Sequence, residues 1–280
     1  YRTLFEVNGL PSIELKYHYP GLLQTGLLEK IREMELATWM LSDLLVCPSE
    51  VTKAFLVSLG VPRQRVHVIP NGYSPQDFFP TPLPDWDHPK PTLLYTGTLA
   101  DWQGLDLILQ ALPEIVLQRS VSLRIIGRGR SRQRKNILKQ IRKLGLEEFV
   151  SLEAAVPHHE VPQIISSAHL CLAPLSLNDR NITQGCCPIK IIEYMASARP
   201  IVAANLPVVR ELLREDQDGL LFTPGDHSDL ARQVLKLLDN YDLAEQMARS
   251  ASARARQKFT WHLAQKRLLK VYQKLTADHS

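Results

Sequence analysis

The chain is expected to be α/β, with two doubly wound parallel-sheet units of which the N-terminal one is truncated. Three observations carry that expectation. Short apolar runs alternate with stretches of helical periodicity, a proline-rich stretch interrupts the alternation once, and the part before it holds only about three strand-like runs. Runs such as LLVC, TLLYT and LCLA show no polar alternation, as strands buried on both faces of a parallel sheet require.

The elements follow in order. TLFEVN reads as a strand leading into a turn, residues 21–41 as a long helix with Leu, Ile and Met at helical spacing, and LLVCPS as a second strand. A helix over 50–59 and the strand RVHVIP complete this part. Between 73 and 91 stand six prolines, Pro75, Pro80, Pro82, Pro84, Pro89 and Pro91, without apolar periodicity. Proline removes a backbone donor and cannot continue a helix or a central strand, so this stretch is a linker. The alternation then restarts with TLLYTG, a helix over 104–117, SLRIIG, a helix over 131–144, VSLE and a helix near 161–168. It continues with LCLAPL, a helix near 189–196, RPIVAA, a short helix near 208–213, GLLF and a helix over 228–238. Helices over 241–258 and 261–275 close the chain.

The 280 residues, 45% apolar and 22% charged, suit one large domain or two ordinary ones and exclude a disordered chain. Lys and Arg number 33 against 29 Asp and Glu, a net charge of +4 that decides little by itself. No run approaches the roughly 18 apolar residues of a membrane span, and the start lacks the layout of a signal peptide. Cys47, Cys171, Cys186 and Cys187 form neither a disulfide framework nor a C-x-x-C pair, which fits a reducing, cytoplasmic setting. The chain begins with Tyr1 on a strand that has nothing before it to pair with, so an N-terminal portion is expected to be missing.

In open parallel sheets ligands bind beyond the carboxyl ends of the strands. The loop after TLLYTG, Gly97 and Thr98 through Gln103 to Gly104, either brings backbone amides to an anion or is simply a tight strand-to-helix turn. After SLRIIG, Gly127-Arg128-Gly129 begins like a dinucleotide fingerprint. The third glycine position is Arg132, and Glu147 and Glu148 fall after the helix, so a nicotinamide site is not expected. The richest segment runs from LCLAPL through Gly185, Cys186, Cys187 and Pro188 into a helix carrying Lys190 and Glu193. Pro188 suits a first helical turn, where its missing N–H costs nothing. Lys190 and Glu193, three apart, are either a surface ion pair or a diphosphate cation with an acid one turn on for sugar hydroxyls.

These residues resemble a known family. PIKIIEYMASARPIVAANLPVVREL followed by DGLLFTPGDHSDLA looks like the donor-binding half of a family 4 glycosyltransferase, whose fold (GT-B) has two Rossmann-like domains. LLYTGTLADWQGLDLILQAL, LRIIGRG and VPHHEVPQIISSAHLCLAPL stand in that half's order. VCPSEVTKAFLVSLGVPRQRVHVIPNGYSPQDFFP resembles the end of the family's N-terminal domain and its linker. The resemblance implies the end of an acceptor-side domain plus linker over 1–84, a nucleotide-sugar domain over 85–258 and a crossover helix over 259–280. That last helix, with Trp261, Leu268, Leu269, Val271, Tyr272 and Leu275, would cross back onto the N-terminal domain.

Carried over, the resemblance assigns Glu193 to the second acid of the family's Glu-x7-Glu motif, on the ribose. The backbone from Pro188 through Ile189 to Lys190 would cradle the distal phosphate, with Gly97 at the diphosphate loop and Gly127 beside the donor. The chain also departs from the pattern. Gly185 stands where the first acid should contact the donor sugar, and Thr98 and Gln103 replace the usual Arg and Lys. Lys190 is expected to restore one phosphate-neutralising charge from the opposite helix. The family's N-terminal domain often supplies a histidine near the sugar, and Glu6 and Asn8 are the residues this chain offers there. Glu6 equally fits a turn or packing role, and His158 and His159 are expected only to start a helix.

What the resemblance implies is retaining transfer of a hexose-type sugar from a nucleoside diphosphate sugar to a saccharide or lipid-linked acceptor. Amides, a helix terminus and a lysine can stabilise the departing diphosphate, so neither metal nor cofactor is expected. The alternatives are a sugar-nucleotide binding module that has lost catalysis and a nucleotide-sugar epimerase on the same fold. Ten Lys and Arg between Arg119 and Lys143, and eight between Arg249 and Lys274, are unbroken by any acid. They are either solvated helix faces or a peripheral contact with an anionic membrane. Nucleic acid is not expected, because the runs lack interleaved aromatics.

Overall fold

The computed structural model describes residues 1–277 and contains two compact units. The first comprises Tyr1–Gly72, Asn178–Pro188 and the chain from Phe259; the second comprises Tyr73–Leu177 and Ile189–Lys258. Residues 73–84 thus belong to the second unit, and 178–188, although deep in the sequence of the second half, to the first. Residues 278–280 of the crossover helix expected over 259–280 lie outside the described residues.

The first unit is a three-stranded parallel sheet in the order β1 (Leu4–Glu6), β2 (Leu44–Cys47), β3 (Val66–Val68), with Leu4 opposite Leu44 and Val46 opposite His67. Helices α1 (Pro11–His18), α2 (Leu27–Leu41) and α3 (Glu50–Ser58) connect the strands. Leu10, Trp39, Leu45, Leu56 and Val66, each 1% exposed or less, form its core. Ser49 caps α3 by accepting from the Thr52 amide at 3.1 Å. A π-helical turn over Arg180–Gln184 packs on α1 and α3. Glu14 of α1 accepts from Gln184 Nε2 at 2.7 Å and lies 3.3 Å from Arg180 Nε, while Asp179 accepts from Lys16 and Tyr17. The sequence reading missed α1: its single buried residue, Ile13, leaves no periodic apolar stripe to read.

The second unit is a six-stranded parallel sheet, ordered β6 (Val150–Glu153), β5 (Ser122–Ile126), β4 (Thr92–Thr96), β7 (Leu170–Ala173), β8 (Ile201–Ala204), β9 (Leu220–Phe222). Every residue of β7, β8 and β9 is buried, and this is why their sequences are apolar without alternation. The connecting helices are α4 (Leu105–Gln118), α5 (Ser131–Lys143), α6 (Val161–Ser166), α7 (Ile189–Ala196), α8 (Pro207–Arg210) and α9 (His227–Leu238), followed by α10 (Tyr241–Lys258). In the first unit, α11 (Trp261–Ala277) follows, with Ala264 and Val271 buried. No helix among the described residues is long and apolar enough to cross a membrane.

The proline-rich stretch forms no helix or strand over 74–91, as its composition requires. Arg199, fully buried beyond α7, holds it against the second unit: its guanidinium donates to the Pro82 carbonyl at 2.9 Å, to the carbonyl and hydroxyl of Thr81, and to the Ser197 carbonyl at 3.2 Å. One feature of the sheet positions the site. Strand order runs outward in one direction from β4 and in the other from β7, so a crevice opens beyond the carboxyl ends of these two neighbours.

Candidate functional site

At the carboxyl end of β4 the chain turns through Gly97, whose φ of +141° an L side chain rarely adopts. The turn is laced to the loop after β5: the Gly97 amide donates to the Ile126 carbonyl at 3.0 Å and the Leu99 amide to the Arg128 carbonyl at 2.9 Å. A Cβ at Gly127 would stand 1.6 Å from the Gly97 carbonyl oxygen, and one at Gly129 would stand 2.6 Å from Leu99 Cβ. The Gly127–Gly129 spacing therefore serves the close approach of two loops.

Lys190 and Glu193 sit on α7, which follows β7, and each is only 7% exposed. The surface ion pair that their spacing allows is excluded by that burial. The Lys190 ammonium donates to Gln103 Oε1 at 2.6 Å and lies 3.9 Å from the centroid of the Tyr95 ring. Gln103 Nε2 in turn donates to Thr98 Oγ1 at 3.2 Å, and the Tyr95 hydroxyl to the Thr98 carbonyl at 2.6 Å. A Cβ on Gly97 would meet Lys190 Nζ at 2.9 Å. The lysine thus reaches the turn after β4 from the facing helix, and a neutral amide and an aromatic face hold it there. Held this way, the ammonium places a positive charge beside the turn.

Glu193 Oε1 lies 3.3 Å from Nε2 of His158, whose ring packs edge-on against Phe78 with centroids 5.5 Å apart. Burial raises the Glu193 carboxyl above its ordinary value, opposed by the hydrogen bond to His158 and by the charges of His158 and Lys190. His158 is a site neighbour that sequence reasoning placed only at a helix start. Tyr95 was also missed; its signal was the single aromatic ring of β4. Beside the Gly97 turn is a cavity of about 350 Å³, walled by Ala155, Val156, Val161 and Ile164 and edged by Gly97 and Gly127. Apolar walls with exposed backbone polar groups suit a flat heterocyclic ring.

The structure therefore brings Gly97, Thr98, Gln103, Gly127, Lys190 and Glu193 together in the second unit, with Ile189 partly exposed at the start of α7. Gly185 and Pro188 belong to the first unit, as do Glu6 and Asn8, which are exposed at the end of β1 and in the loop after it. Gly185 is buried with φ +77°, and a Cβ there would lie 2.7 Å from Ser49 Oγ and 2.8 Å from the Thr52 amide nitrogen. Two Asp-x-Asp triplets occur, at 85–87 and 216–218. Asp218 is fully buried and hydrogen-bonded to Arg214 and Ser250, and among the described residues no three His, Cys, Asp or Glu side chains converge.

Among curated proteins the chain is similar to alpha-D-kanosaminyltransferase of Streptomyces kanamyceticus, 26% identical over 66% of this chain and 46% of that protein. It is 28% identical to phosphatidyl-myo-inositol mannosyltransferase of Mycobacterium leprae over 76% of this chain and 54% of that one. The chain spans about half the length of these relatives. Among solved structures, sucrose-phosphate synthase from Thermosynechococcus elongatus superposes with a TM-score of 0.80 at 20% identity, over 98% of this chain and 68% of that one. Anabaena HepE in complex with UDP and glucose gives 0.80 at 18%, over 99% and 72%. Both show the two-domain fold of GT-B glycosyltransferases. The family described as Glycosyltransferase Family 4 matches residues 7–77, and that described as Glycosyl transferases group 1 matches residues 90–240. With more than half of its length matched by the latter, the chain belongs to the glycosyl transferases group 1 family.

Proposed function

We propose that the protein transfers a hexose-type sugar, with retention of anomeric configuration, from a nucleoside diphosphate sugar to a saccharide or lipid-linked acceptor. The observation that carries this reading is the buried Lys190 ammonium, aimed at the Gly97 turn beyond the carboxyl end of β4. A diphosphate at that turn exchanges the lysine's contact with Gln103 for charge-assisted hydrogen bonds, and the first-turn amides of α7 add donors of the same sense. Glu193, one turn on, accepts from the ribose hydroxyls, and the 350 Å³ cavity takes the base. The binding of UDP and glucose by HepE and the names of the curated relatives support a nucleotide-sugar donor.

In such a transfer the bond between the anomeric carbon and the diphosphate oxygen breaks, the acceptor oxygen bonds that carbon on the face the diphosphate leaves, and the acceptor's hydroxyl proton passes to the departing diphosphate oxygen. Negative charge grows on the departing oxygen, where Lys190 and the helix amides stabilise it. No metal takes part in this scheme, and the setting is cytoplasmic, peripheral to an anionic membrane face. The test is incubation of the intact protein with nucleoside diphosphate sugars and candidate acceptors, followed by NMR of the product's anomeric proton. A product of the donor's configuration is expected; an inverted product refutes the reading.

Gly185 favours a second reading, a nucleotide-sugar binding module without turnover. The position of the family's first acid lacks a carboxylate and leaves no room for one beside Ser49 and Thr52. Donor binding with neither transfer nor hydrolysis in the intact protein would select it.

A further inference from the structure

The fold pairs each of the two basic runs of the sequence only in part. In α10, Arg249 pairs with Glu245 at 2.9 Å, and Arg254 donates to the Leu212 carbonyl at 2.7 Å and lies 3.6 Å from Asp218. In the earlier run Arg119 bonds Asp239, Arg124 bonds Glu153, and Arg134 bonds the carbonyls of Leu152 and Glu153. Of the cations outside these contacts, five lie on the outer face of a single helix, α5. Ile137 and Ile141 bury the inner side of this helix. At about 100° per residue, Arg132, Lys135, Lys139, Arg142 and Lys143 fall on the opposite side within an arc of about 100°. All five are exposed, and none has an ion pair among the described residues. Leu138, 39% exposed, flanks them.

We propose that the outer face of α5 docks the chain on the anionic surface of a phospholipid bilayer. Charge complementarity favours that surface. Five cations and no acid on a helix about 20 Å long match the headgroup plane of an acidic leaflet, and flexible Lys and Arg stems let each charge settle at its own depth. The apolar side of α5 is already spent on the second unit's core, so docking is electrostatic, shallow and reversible, without insertion. The face carries no aromatic ring on which bases could stack, and this favours lipid over nucleic acid. The inference names the surface behind the peripheral setting and depends on no residue of the donor site, so either reading can fail without the other.

The test is sedimentation of the intact chain with vesicles of phosphatidylcholine alone and of equal parts phosphatidylcholine and phosphatidylglycerol. Binding is expected only to the mixed vesicles at about 0.1 M salt, with release near 0.5 M. The combined variant K135Q/K139Q/R142Q/K143Q is expected to lose at least about a hundredfold in partitioning, each charge being worth roughly fivefold. Its melting and nucleotide binding stay those of the parent, so misfolding is distinguishable from lost docking. A control, K266Q/K270Q/K274Q on α11, is expected to keep binding within a few-fold. Equal binding to the uncharged vesicles, no binding to the mixed ones, an unaffected α5 variant, or tighter binding to duplex DNA than to vesicles would each overturn the proposal.

Discussion

Replacing Lys190 by methionine keeps the stem and removes the charge. In the unliganded chain this loses one hydrogen bond to Gln103, worth about 1 kcal/mol, and the contact over Tyr95, worth about 0.5–2 kcal/mol. It also abolishes the cost of burying an ammonium that is only 7% exposed, which is of comparable size. Gln103 is half-buried and can turn to water. The expected net change in stability is within about 1 kcal/mol, a Tm shift of roughly 2–4 °C. A bound diphosphate, by contrast, loses a charge-assisted contact worth about 1.5–3 kcal/mol, so its Kd rises roughly 10- to 150-fold. Isothermal titration with nucleoside diphosphates, paired with differential scanning calorimetry, reads both quantities. A Kd within threefold of the parent's refutes the placement of the phosphate. A large drop in Tm would show the lysine to be structural.

Four further outcomes are expected. Gly97→Ala places a Cβ 2.9 Å from Lys190 Nζ at a φ of +141°, and lowers both stability, by about 1–3 kcal/mol in urea melts, and nucleotide affinity. Gly185→Glu does not restore a donor-sugar acid: its Cβ meets the Thr52 amide nitrogen, a backbone atom, at 2.8 Å, so thermal melting shows destabilisation by roughly 2 kcal/mol or more with no gain in donor hydrolysis. Because burial raises the Glu193 carboxyl, and only the ionised form accepts fully from ribose hydroxyls, nucleotide affinity weakens as pH falls through that raised value. The folded state there holds a proton the unfolded chain has released, so unliganded stability declines as pH rises through the same window, and Glu193→Gln flattens both slopes in titration and melting series. Arg199→Met strips Thr81, Pro82 and Ser197 of their buried donor and costs roughly 2–4 kcal/mol, with limited proteolysis appearing within 73–91.

Much of this architecture is legible in the residues alone. LCLA, IVAA and LLF are apolar throughout because both faces of the second sheet are covered there, and the proline count of 73–91 forbids regular structure in that stretch. Each expected helix from 104 onward appears within a few residues of its expected bounds. What escaped is what depends on distant partners. Helix α1 owes its place to contacts with α2 and with the turn at 180–184, and its own sequence buries only Ile13. The spacing of Lys190 and Glu193 reads equally as a solvated pair, and only the fold shows both side chains turned inward toward β4 and the loop after β6. His158 meets Glu193 across 35 positions of sequence, beyond any local pattern. That Gly185 is closed in by Ser49 and Thr52 is a fact of packing that no local pattern shows.

The central claim is that a pyrophosphate lodges between the Gly97 turn and α7. A crystal structure of the chain soaked with a panel of nucleoside diphosphates tests it most directly. Lys190 Nζ is expected to be released from Gln103 and to stand within hydrogen-bonding distance of a phosphate oxygen, with the ribose hydroxyls on Glu193. A nucleotide bound elsewhere while Lys190 still rests on Gln103 and Tyr95 would contradict it.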